Sequence, residues 1–300
     1  MALEKEIWIG DIVEGLFADN SFLSKAFSAD QYVNNKTVHI PNAGLPSGVQ
    51  KNRKDYPAAI KVREDYDVTF DIDEFTTNPI RITHADTVQL SYDKRQSIIS
   101  SDKEALHDAV ARSILNDWAP QKEAQIIKTT GADTDAYTDK ATGKRKALTK
   151  ADISKAFTTF NKQNIPATGR YLLLDAMMYT QLIDSLTSKE SDAFFGLADV
   201  KRGIVGQLYG FNVLMRSEVL IYDGTKPVET GSKTTDNAGA LAWHYDAVAR
   251  ALGDVTMFGT ESDPTYYGDI YSFLMRVGGA PKRHDGKGVL AIVQDAGAGL

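Results

Sequence analysis

The stretch DYDVTFDIDEFTTNPIRIT, residues 65–83, decides the fold class. In its first half an apolar residue stands at every second position: Tyr66, Val68, Phe70 and Ile72. This period of two predicts a β-strand. Asn78-Pro79 is a turn signal, so a second strand is expected from Ile80 onwards. We therefore predict that residues 46–92 form a long two-stranded projection.

The segment before these strands is polar and basic. The stretch GLPSGVQKNRKDYP, residues 44–57, has almost no apolar residues and carries three cations: Lys51, Arg53 and Lys54. Such a composition is typical of a solvated loop tip. Because a two-stranded ribbon is only marginally stable in water, we expect the projection to lie against another protein surface.

Residues 1–45 have the pattern of an N-terminal arm. Apolar residues recur at helical spacing in its first part, among them Trp8, Ile12 and Phe17. The chain that follows is predicted to be loop and extended strand, ending near Pro41 and Gly44. An apolar stripe needs a surface to lie on, which is either the chain's own core or that of a neighbour.

Helices and strands alternate irregularly over the rest of the chain. Ser101 and Glu104 predict the capping box of a helix over 102–118, ended by Pro120. Residues 129–147 break the pattern and predict a mobile surface loop.

A second helix is expected from Thr149, and the stretch GRYLLLD, residues 169–175, predicts a buried strand. Asp175 then opens a third helix, and the sequence from about 203 is rich in strands. This mixed order predicts an α+β fold rather than a regular βαβ array.

Composition excludes several classes of protein. The 300 residues are enough for a sizeable core, and the net charge of −6 argues against tight, non-specific binding of nucleic acid. The absence of cysteine excludes disulfides, thiolate metal sites and cysteine nucleophiles. With no signal peptide and no long apolar run, the chain is expected to be soluble, intracellular when made and without a membrane partner.

Three closely spaced glycines raise the question of a phosphate-binding loop. They lie in GIVGQLYGFNVLMRSEV, residues 203–219. Their spacing is G-x-x-G-x-x-x-G rather than G-x-G-x-x-G, and a strand rather than a helix is predicted after them. Without a helix N-terminus, no dipole and no free N–H groups would hold a phosphate. We therefore expect these glycines to shape turns and a tight approach to a strand.

No catalytic or metal-binding pattern is recognisable either. The five histidines are scattered, at His39, His84, His107, His244 and His284. The acidic loop at Asp133, Asp135 and Asp139 lacks the glycine and the glutamate of a calcium loop. Asp71 and Asp73 are expected on the solvated face of a strand, and the alternatives are that they coordinate a cation or act as a carboxylate pair. With no G-x-S-x-G motif present, we predict a protein that is not an enzyme, with no cofactor and no metal.

Over nearly its whole length the chain resembles the major capsid proteins of tailed bacteriophages with the Hong Kong-97-type fold. The resemblance lies in the order and spacing of several stretches: YVNNKTVHIPNAG (32–44), DEFTTNPIRIT (73–83), LSYDKRQSI (90–98), NIPATGRYLLLD (164–175), GQLYGFNVLMRSEV (206–219) and YYGDIYSFLMRVGGAPKRHDGKGVLAIVQ (266–294). None of these stretches is a catalytic motif.

The resemblance implies a division of the chain into five parts. These are an N-terminal arm at 1–45, an extended loop with its flanking strands at 46–92, a peripheral domain with a spine helix at 93–148, an axial domain at 149–250 and return strands of the peripheral domain at 251–300. It also implies contacts between subunits made by the arm and by the loop tip, through Trp8, Ile12, Phe17, Lys51, Arg53 and Lys54.

The implied function is assembly of an icosahedral head shell around double-stranded DNA. Pentamers and hexamers of this chain would form the shell, and the DNA would be enclosed without sequence-specific binding. The implied partners are a portal, a separate scaffolding protein and a decoration protein, with assembly in the bacterial cytoplasm. Two alternatives remain: an encapsulin-like nanocompartment shell, and a monomeric binding module for an unknown ligand.

Overall fold

The computed structural model describes residues 12, 14, 16, 20–42, 51–54, 56, 57, 60, 66–83, 94–199 and 203–297. The α-helices within these residues are α1 (Lys94–Trp118), α2 (Lys150–Lys162), α3 (Ala176–Ser185) and α4 (Ser188–Phe195). The strands of the N-terminal half are β1 (Phe27–Ser28), β2 (Val33–Asn34), β3 (Thr37–Asn42), β4 (Tyr66–Asp71), β5 (Asp73–Thr76), β6 (Ile80–Thr83), β7 (Ile126–Lys128), β8 (Asp133–Asp135) and β9 (Lys144–Lys146). Those of the C-terminal half are β10 (Arg170–Asp175), β11 (Gly206–Leu208), β12 (Phe211–Arg216), β13 (Leu220–Asp223), β14 (Lys226–Val228), β15 (Asn237–His244), β16 (Val248–Asp263), β17 (Gly268–Pro281) and β18 (Val289–Val293).

A five-stranded sheet is built on the long antiparallel pair β16–β17. Strand β1 pairs in parallel with the start of β16, while β5 and β6 both pair with β17. The pairing of β16 with β17 runs from Val248 opposite Pro281 to Asp263 opposite Gly268. Helix α1 packs on this sheet and buries a row of apolar side chains: Leu106, Val110, Ile114 and Trp118.

An eight-stranded sheet forms the second layer, in the order β11-β12-β10-β15-β13-β14, with β18 and β7 added beside β15. Both of its faces are buried. Leu172 and Leu174 of β10 face a core shared with α2 and α3, whereas Leu173 faces the core shared with α1. Side chains alternate between the two faces of a strand, so burial on both faces requires the continuous apolar run that predicted this strand.

Trp118, at the end of α1, joins the two layers. Its indole N–H donates a 2.9 Å hydrogen bond to the backbone carbonyl of Ala249 in β16. Its ring lies 5.9 Å from that of Trp243 in the eight-stranded sheet and 5.9 Å from that of Phe22. The three rings and this hydrogen bond fix α1 between the sheets.

Two of the predicted helix starts are confirmed. Thr149 and Asp152 form a capping box at the start of α2. The Asp175 carboxylate caps α3 by accepting a 2.6 Å hydrogen bond from the backbone N–H of Met178. In each case a side-chain oxygen satisfies an N–H group of the first helical turn, which is a local interaction and can be predicted from sequence.

Two other sequence-based predictions are wrong. Helix α1 begins at Lys94, so Ser101 and Glu104 lie inside it and do not cap it. The predicted mobile loop at 129–147 contains the hairpin β8–β9, in which Arg145 is fully buried. The second error arises because contacts with distant parts of the chain order a segment whose local pattern is weak.

The segment predicted as return strands, residues 251–300, is divided between the two sheets. Strands β16 and β17 belong to the five-stranded sheet, whereas β18 pairs with β15 and β7 in the eight-stranded sheet. The assignment of these segments to peripheral and axial domains remains a prediction. Within the part of the chain that the structure describes, no helix has both the length and the apolar character needed to cross a membrane.

Candidate assembly surfaces

A β-hairpin packs against the start of β16 in the five-stranded sheet. Its two arms are β3 and β4, paired antiparallel from Thr37 opposite Asp71 to Asn42 opposite Tyr66. Strand β2 adds a short third strand beside β3. Asn42 and Tyr66 form the last pair. Of the segment that connects the two arms, the structure describes residues 51–54, 56, 57 and 60, which we call the tip.

This pairing corrects the predicted projection. Strand β4 was expected to pair with the strand that begins at Ile80, but that strand, β6, pairs with β17. The partner of β4 is β3, which lies in the segment predicted to be the N-terminal arm. Strand pairing is a long-range choice, and the alternation over 66–72 reveals a strand without revealing its partner.

The end of the hairpin at Thr37 and Asp71, which we call its root, passes very close to strand β17 of the five-stranded sheet. A Cβ atom on Gly278 of β17 would lie 2.7 Å from the backbone oxygen of Asp71. Val38, Val68 and Ile72 are buried there against alanines at the start of β16. The next glycine, Gly279, faces the other side of the strand, where a Cβ atom would lie 2.8 Å from Trp118 Nε1. Adjacent glycines thus let the hairpin and α1 approach opposite faces of one strand.

The tip of the hairpin is exposed, basic and partly apolar. Lys51 and Lys54 are exposed, and Arg53 is half-buried. Two large apolar residues beside them are also exposed, Tyr56 at 77% and Ile60 at 94%. Sequence analysis selected the cations but missed Tyr56 and Ile60, although both residues follow the basic run closely in the sequence.

Of the three predicted arm residues, the structure describes Ile12. Its side chain is only 1% exposed and packs in the core beside α1. The ring Nε2 of buried His107 lies 3.0 Å from the Ile12 carbonyl oxygen, and this contact ties the segment to the helix. Trp8 and Phe17 lie outside the described residues. The apolar stripe is therefore covered by the chain's own core at Ile12, and contacts of the arm with a neighbour remain a prediction.

An ion-pair network joins α1 to the eight-stranded sheet. Arg112 Nε donates to Asp108 at 2.9 Å, and the same guanidinium contacts Glu218 at 3.0 Å. Arg216 of β12 pairs with Asp108 and also donates a 2.8 Å hydrogen bond to the Glu218 carbonyl. The network therefore ties the helix to the β12–β13 turn, where several linked charges hold a geometry better than an isolated pair does.

Packing around the last turn of α1 desolvates the Asp117 carboxyl group and raises its pKa to about 7. The negative charge of Asp73, at the start of β5, adds to this shift.

Further exposed apolar side chains mark two other regions. One set belongs to the eight-stranded sheet and its helices: Met177 in α3, Phe195 in α4, Leu197, Tyr209, and Met215 in β12. The other belongs to the β16–β17 hairpin, with Phe258 inside β16 and Tyr266 and Tyr267 in the connecting turn. Large exposed apolar side chains are candidates for contact with other proteins.

Two of the three glycines of the 203–219 stretch lie at turns and the third enters a strand, as predicted. Gly203 and Gly210 have positive φ angles of 70° and 76°, and Gly206 begins β11. A Cβ atom on Gly206 would overlap the ring of Phe194. Strands β11 and β12 pair as an antiparallel hairpin, so no helix starts after these glycines.

The candidate metal ligands do not converge within the described residues. No group of three or more His, Cys, Asp or Glu side chains there is placed to hold an ion. Asp133 and Asp135 instead pair with lysines of the opposite strand, Lys146 at 2.7 Å and Lys144 at 2.6 Å. Asp71 and Asp73 are exposed, and Asp71 accepts a 3.0 Å hydrogen bond from Thr37.

Comparison with known proteins gives a result in structure but not in sequence. No family model matches the sequence, and no curated protein matches it. The structure is similar to the capsid of Ralstonia phage GP4, with a TM-score of 0.64, 12% identity and coverage of 92% of this chain and 88% of that one. It is also similar to the capsid of cyanophage P-SCSP1u, with a TM-score of 0.59, 17% identity and coverage of 89% and 86%.

A third similar structure is the virus-like particle from Pyrococcus furiosus, with a TM-score of 0.55 and 10% identity. The match covers 97% of this chain and 98% of that one. All three comparisons span nearly the full length of both chains, so the similarity concerns the whole fold. The predicted α+β fold of phage capsid proteins is therefore confirmed.

Proposed function

We propose that this chain is the major capsid protein of a tailed bacteriophage and that it assembles into the icosahedral head shell around double-stranded DNA. The observation that carries the proposal is the full-length similarity to phage capsid chains. A second observation supports it: the segment that connects β3 to β4 exposes cations together with large apolar side chains.

The mechanism is assembly rather than turnover. Each hairpin tip reaches an adjacent subunit, and pentamers and hexamers form from one fold by small adjustments of hairpin and arm. A single exposed ion pair at the tip contributes only about 0.2–1 kcal/mol, so the cations fix the register of subunits more than they supply affinity. The apolar residues Tyr56 and Ile60 supply the larger share, because their exposed surface is removed from water on contact.

The net charge of −6 suits a container for DNA. An inner wall with few uncompensated cations would not trap the phosphate backbone, whose binding depends on the release of counterions by basic residues. In this role the protein is a virion component with no enzymatic activity. It assembles in the cytoplasm of the bacterial host with a portal and a separate scaffolding protein, and a decoration protein is a further expected partner.

An encapsulin-like nanocompartment shell is the second candidate function. The full-length similarity to the virus-like particle from Pyrococcus furiosus favours it specifically. The contents of the native particle distinguish the two functions, since a phage head holds double-stranded DNA and a nanocompartment holds cargo proteins. Neighbouring genes provide a second test: portal and terminase genes indicate a phage, whereas a ferritin-like or peroxidase gene indicates a compartment.

Deletion of residues 47–56 tests the proposed function at the hairpin tip. We expect the variant to keep the secondary structure of the intact chain by circular dichroism, because the described core lies outside this segment, and to form no shells by electron microscopy. Two variants with the same change in net charge separate an effect of the tip cations from an effect of the overall charge. Lys51, Arg53 and Lys54 are changed to glutamate in one variant, and the exposed Lys122, Lys162 and Lys189 in the other. Shells formed by the deletion variant would refute the role of the tip.

A further inference from the structure

Arg145, in strand β9, has one N–H group without a protein acceptor. The side chain is fully buried, and a guanidinium carries five N–H groups. Four of them donate to backbone carbonyl groups: Nη1 to Thr142 and Lys144, both at 3.1 Å, and Nη2 to Thr234 at 3.0 Å and Asp236 at 3.2 Å. Within the described part of the chain, the fifth group, Nε–H, has no partner. A buried donor left in this state costs free energy, because its hydrogen bond to water is not replaced.

Two other buried side chains also have unpaired polar atoms. Asp236 is 1% exposed, and its Oδ2 accepts hydrogen bonds from the backbone N–H groups of Ser232 and Lys233, each at 2.8 Å. Its Oδ1 has no partner among the described residues, and neither do the two polar atoms of the Gln294 amide. Gln294 is likewise 1% exposed. The unpaired atoms are therefore a donor on the arginine, an acceptor on the aspartate and an amide that offers both.

The strand register brings these three side chains to one face of the eight-stranded sheet. The backbone N–H of Gln294 donates a 2.9 Å hydrogen bond to the carbonyl of Ala238, which belongs to the core shared with α2 and α3. Ala296, two residues beyond Gln294, forms an antiparallel bridge with Arg145. Residues opposite each other in a ladder share a face, as do residues two apart along an extended chain. Arg145 is thus diagonal to Gln294, and Asp236 stands two residues before Ala238.

The charges and the unpaired atoms together select the ligand. Burial lowers the pKa of Arg145, and the negative charge of Asp236 opposes that shift, so the carboxylate is close enough to act on the guanidinium. The two charges cancel and leave no net charge to hold an ion. The ligand must accept from Arg145 Nε–H and donate to Asp236 Oδ1. Chloride has no hydrogen to donate and ammonium has no lone pair to accept with, whereas a water molecule does both and needs little space.

We propose that Arg145, Asp236 and Gln294 enclose a structural water molecule. The water accepts a hydrogen bond from Arg145 Nε, donates one to Asp236 Oδ1 and makes a third with the Gln294 amide, and about three hydrogen bonds is the usual number for a buried water. It joins three segments that are remote in sequence: the β8–β9 hairpin, the loop before β15 and the chain after β18. The site does not depend on the proposed function.

A crystal structure or a single-particle map of the full-length chain, at a resolution that shows ordered water, tests the site directly. We expect one isolated density peak at about 2.7–3.2 Å from Arg145 Nε, from Asp236 Oδ1 and from one atom of the Gln294 amide. A direct hydrogen bond between Arg145 Nε and Asp236 Oδ1, with no peak between them, would overturn the inference.

Double-mutant cycles by urea unfolding test the bridge in solution. The test cycle combines Asp236→Asn with Gln294→Leu, and we expect its two effects on the unfolding constant to depart from a simple product by at least about threefold. The control cycle combines Asp236→Asn with Gln207→Leu. Gln207 bonds Asn212 and lies in β11, three strands from β15, so these effects should multiply within about twofold.

A test cycle that couples no more strongly than the control cycle would overturn the inference. The map separates the water bridge from a direct contact, since a direct contact would also couple Asp236 to Gln294. If Asp236→Asn does not fold, the map of the unmodified chain decides alone.

Discussion

The backbone of Gly278 passes so close to that of Asp71 that a Cβ atom on the glycine would lie 2.7 Å from the aspartate carbonyl oxygen. This approach sets the position of the hairpin, since Asp71 ends β4 and Ile72 is buried directly beneath it. The obstacle is backbone, which cannot rotate away as a flexible side chain would.

We therefore predict that Gly278→Ala displaces the hairpin root. The expected cost is about 1–3 kcal/mol in the free energy of unfolding, typical of overpacking, together with a loss of shells by electron microscopy. Gly279→Ala is the matched comparison, because its Cβ atom would contact Trp118 on the opposite face. That variant should change tryptophan fluorescence more than Gly278→Ala does. If Gly278→Ala is as stable as the wild-type chain and assembles as well, the proposed role of this close approach is wrong.

The glycines at 206 and 210 are expected to respond differently to substitution. Gly206→Ala places a methyl group into the ring of Phe194 and should cost about 1–3 kcal/mol in unfolding free energy. Gly210 has open space around it and a positive φ angle of 76°, so Gly210→Asn should cost less than about 1 kcal/mol. Urea unfolding of both variants checks this, and an equal cost at the two positions would contradict the steric role assigned to Gly206.

Arg145 is expected to hold the β8–β9 hairpin against the loop before β15. Its guanidinium donates to the carbonyl groups of Thr142 at 3.1 Å, Thr234 at 3.0 Å and Asp236 at 3.2 Å. Arg145→Met removes a buried charge from these acceptors and should cost at least about 3 kcal/mol. Hydrogen exchange of residues 133–146 should accelerate. Lys144→Met, which removes an exposed ion pair with Asp135, should cost less than about 1 kcal/mol and serves as the control.

Asp175 and Asp152, two aspartates at helix starts, should make the free energy of unfolding depend on pH in opposite directions. Burial raises the pKa of Asp175 above its ordinary value of 3.8, although hydrogen bonds from Met178 and Tyr137 oppose the shift. The folded state then binds a proton that the unfolded state has lost, so stability falls as the pH rises from about 4 through the raised pKa. Asp175→Asn, which keeps a capping oxygen, should remove this slope in urea unfolding at pH 3–7.

Asp152 has the opposite shift. Burial raises its pKa, but hydrogen bonds from Lys155, Thr130 and Thr149 outweigh burial and leave the pKa below 3.8. The stabilisation is present above that ordinary value and is lost as the pH falls through the lowered pKa. Asp152→Asn should therefore cost about 1.5–3 kcal/mol at neutral pH and less in acid. Slopes of the same sign for the two aspartates would contradict these assignments.

Features that depend on neighbouring residues were predictable from sequence. The caps at Thr149 and Asp175 and the apolar run of β10 are local patterns, and the structure confirms them. The close approach at Gly278-Gly279 was not predicted, although glycine inside a strand is a signal for the close approach of another segment. Which segment approaches it was not visible, because Asp71 is remote in sequence.

Features that depend on distant residues were missed for the same reason. The partner of β4 is chosen by burial of Val38 and Ile40 against β16, and the 129–147 segment is ordered by carbonyl groups about ninety residues away.

Electron microscopy of the purified full-length chain, supported by light scattering, tests the central claim most directly. The account predicts closed or aberrant shells, or discrete pentamers and hexamers, formed by this chain alone or with a co-expressed scaffolding protein. A strict monomer under both conditions would contradict the assignment as a capsid protein.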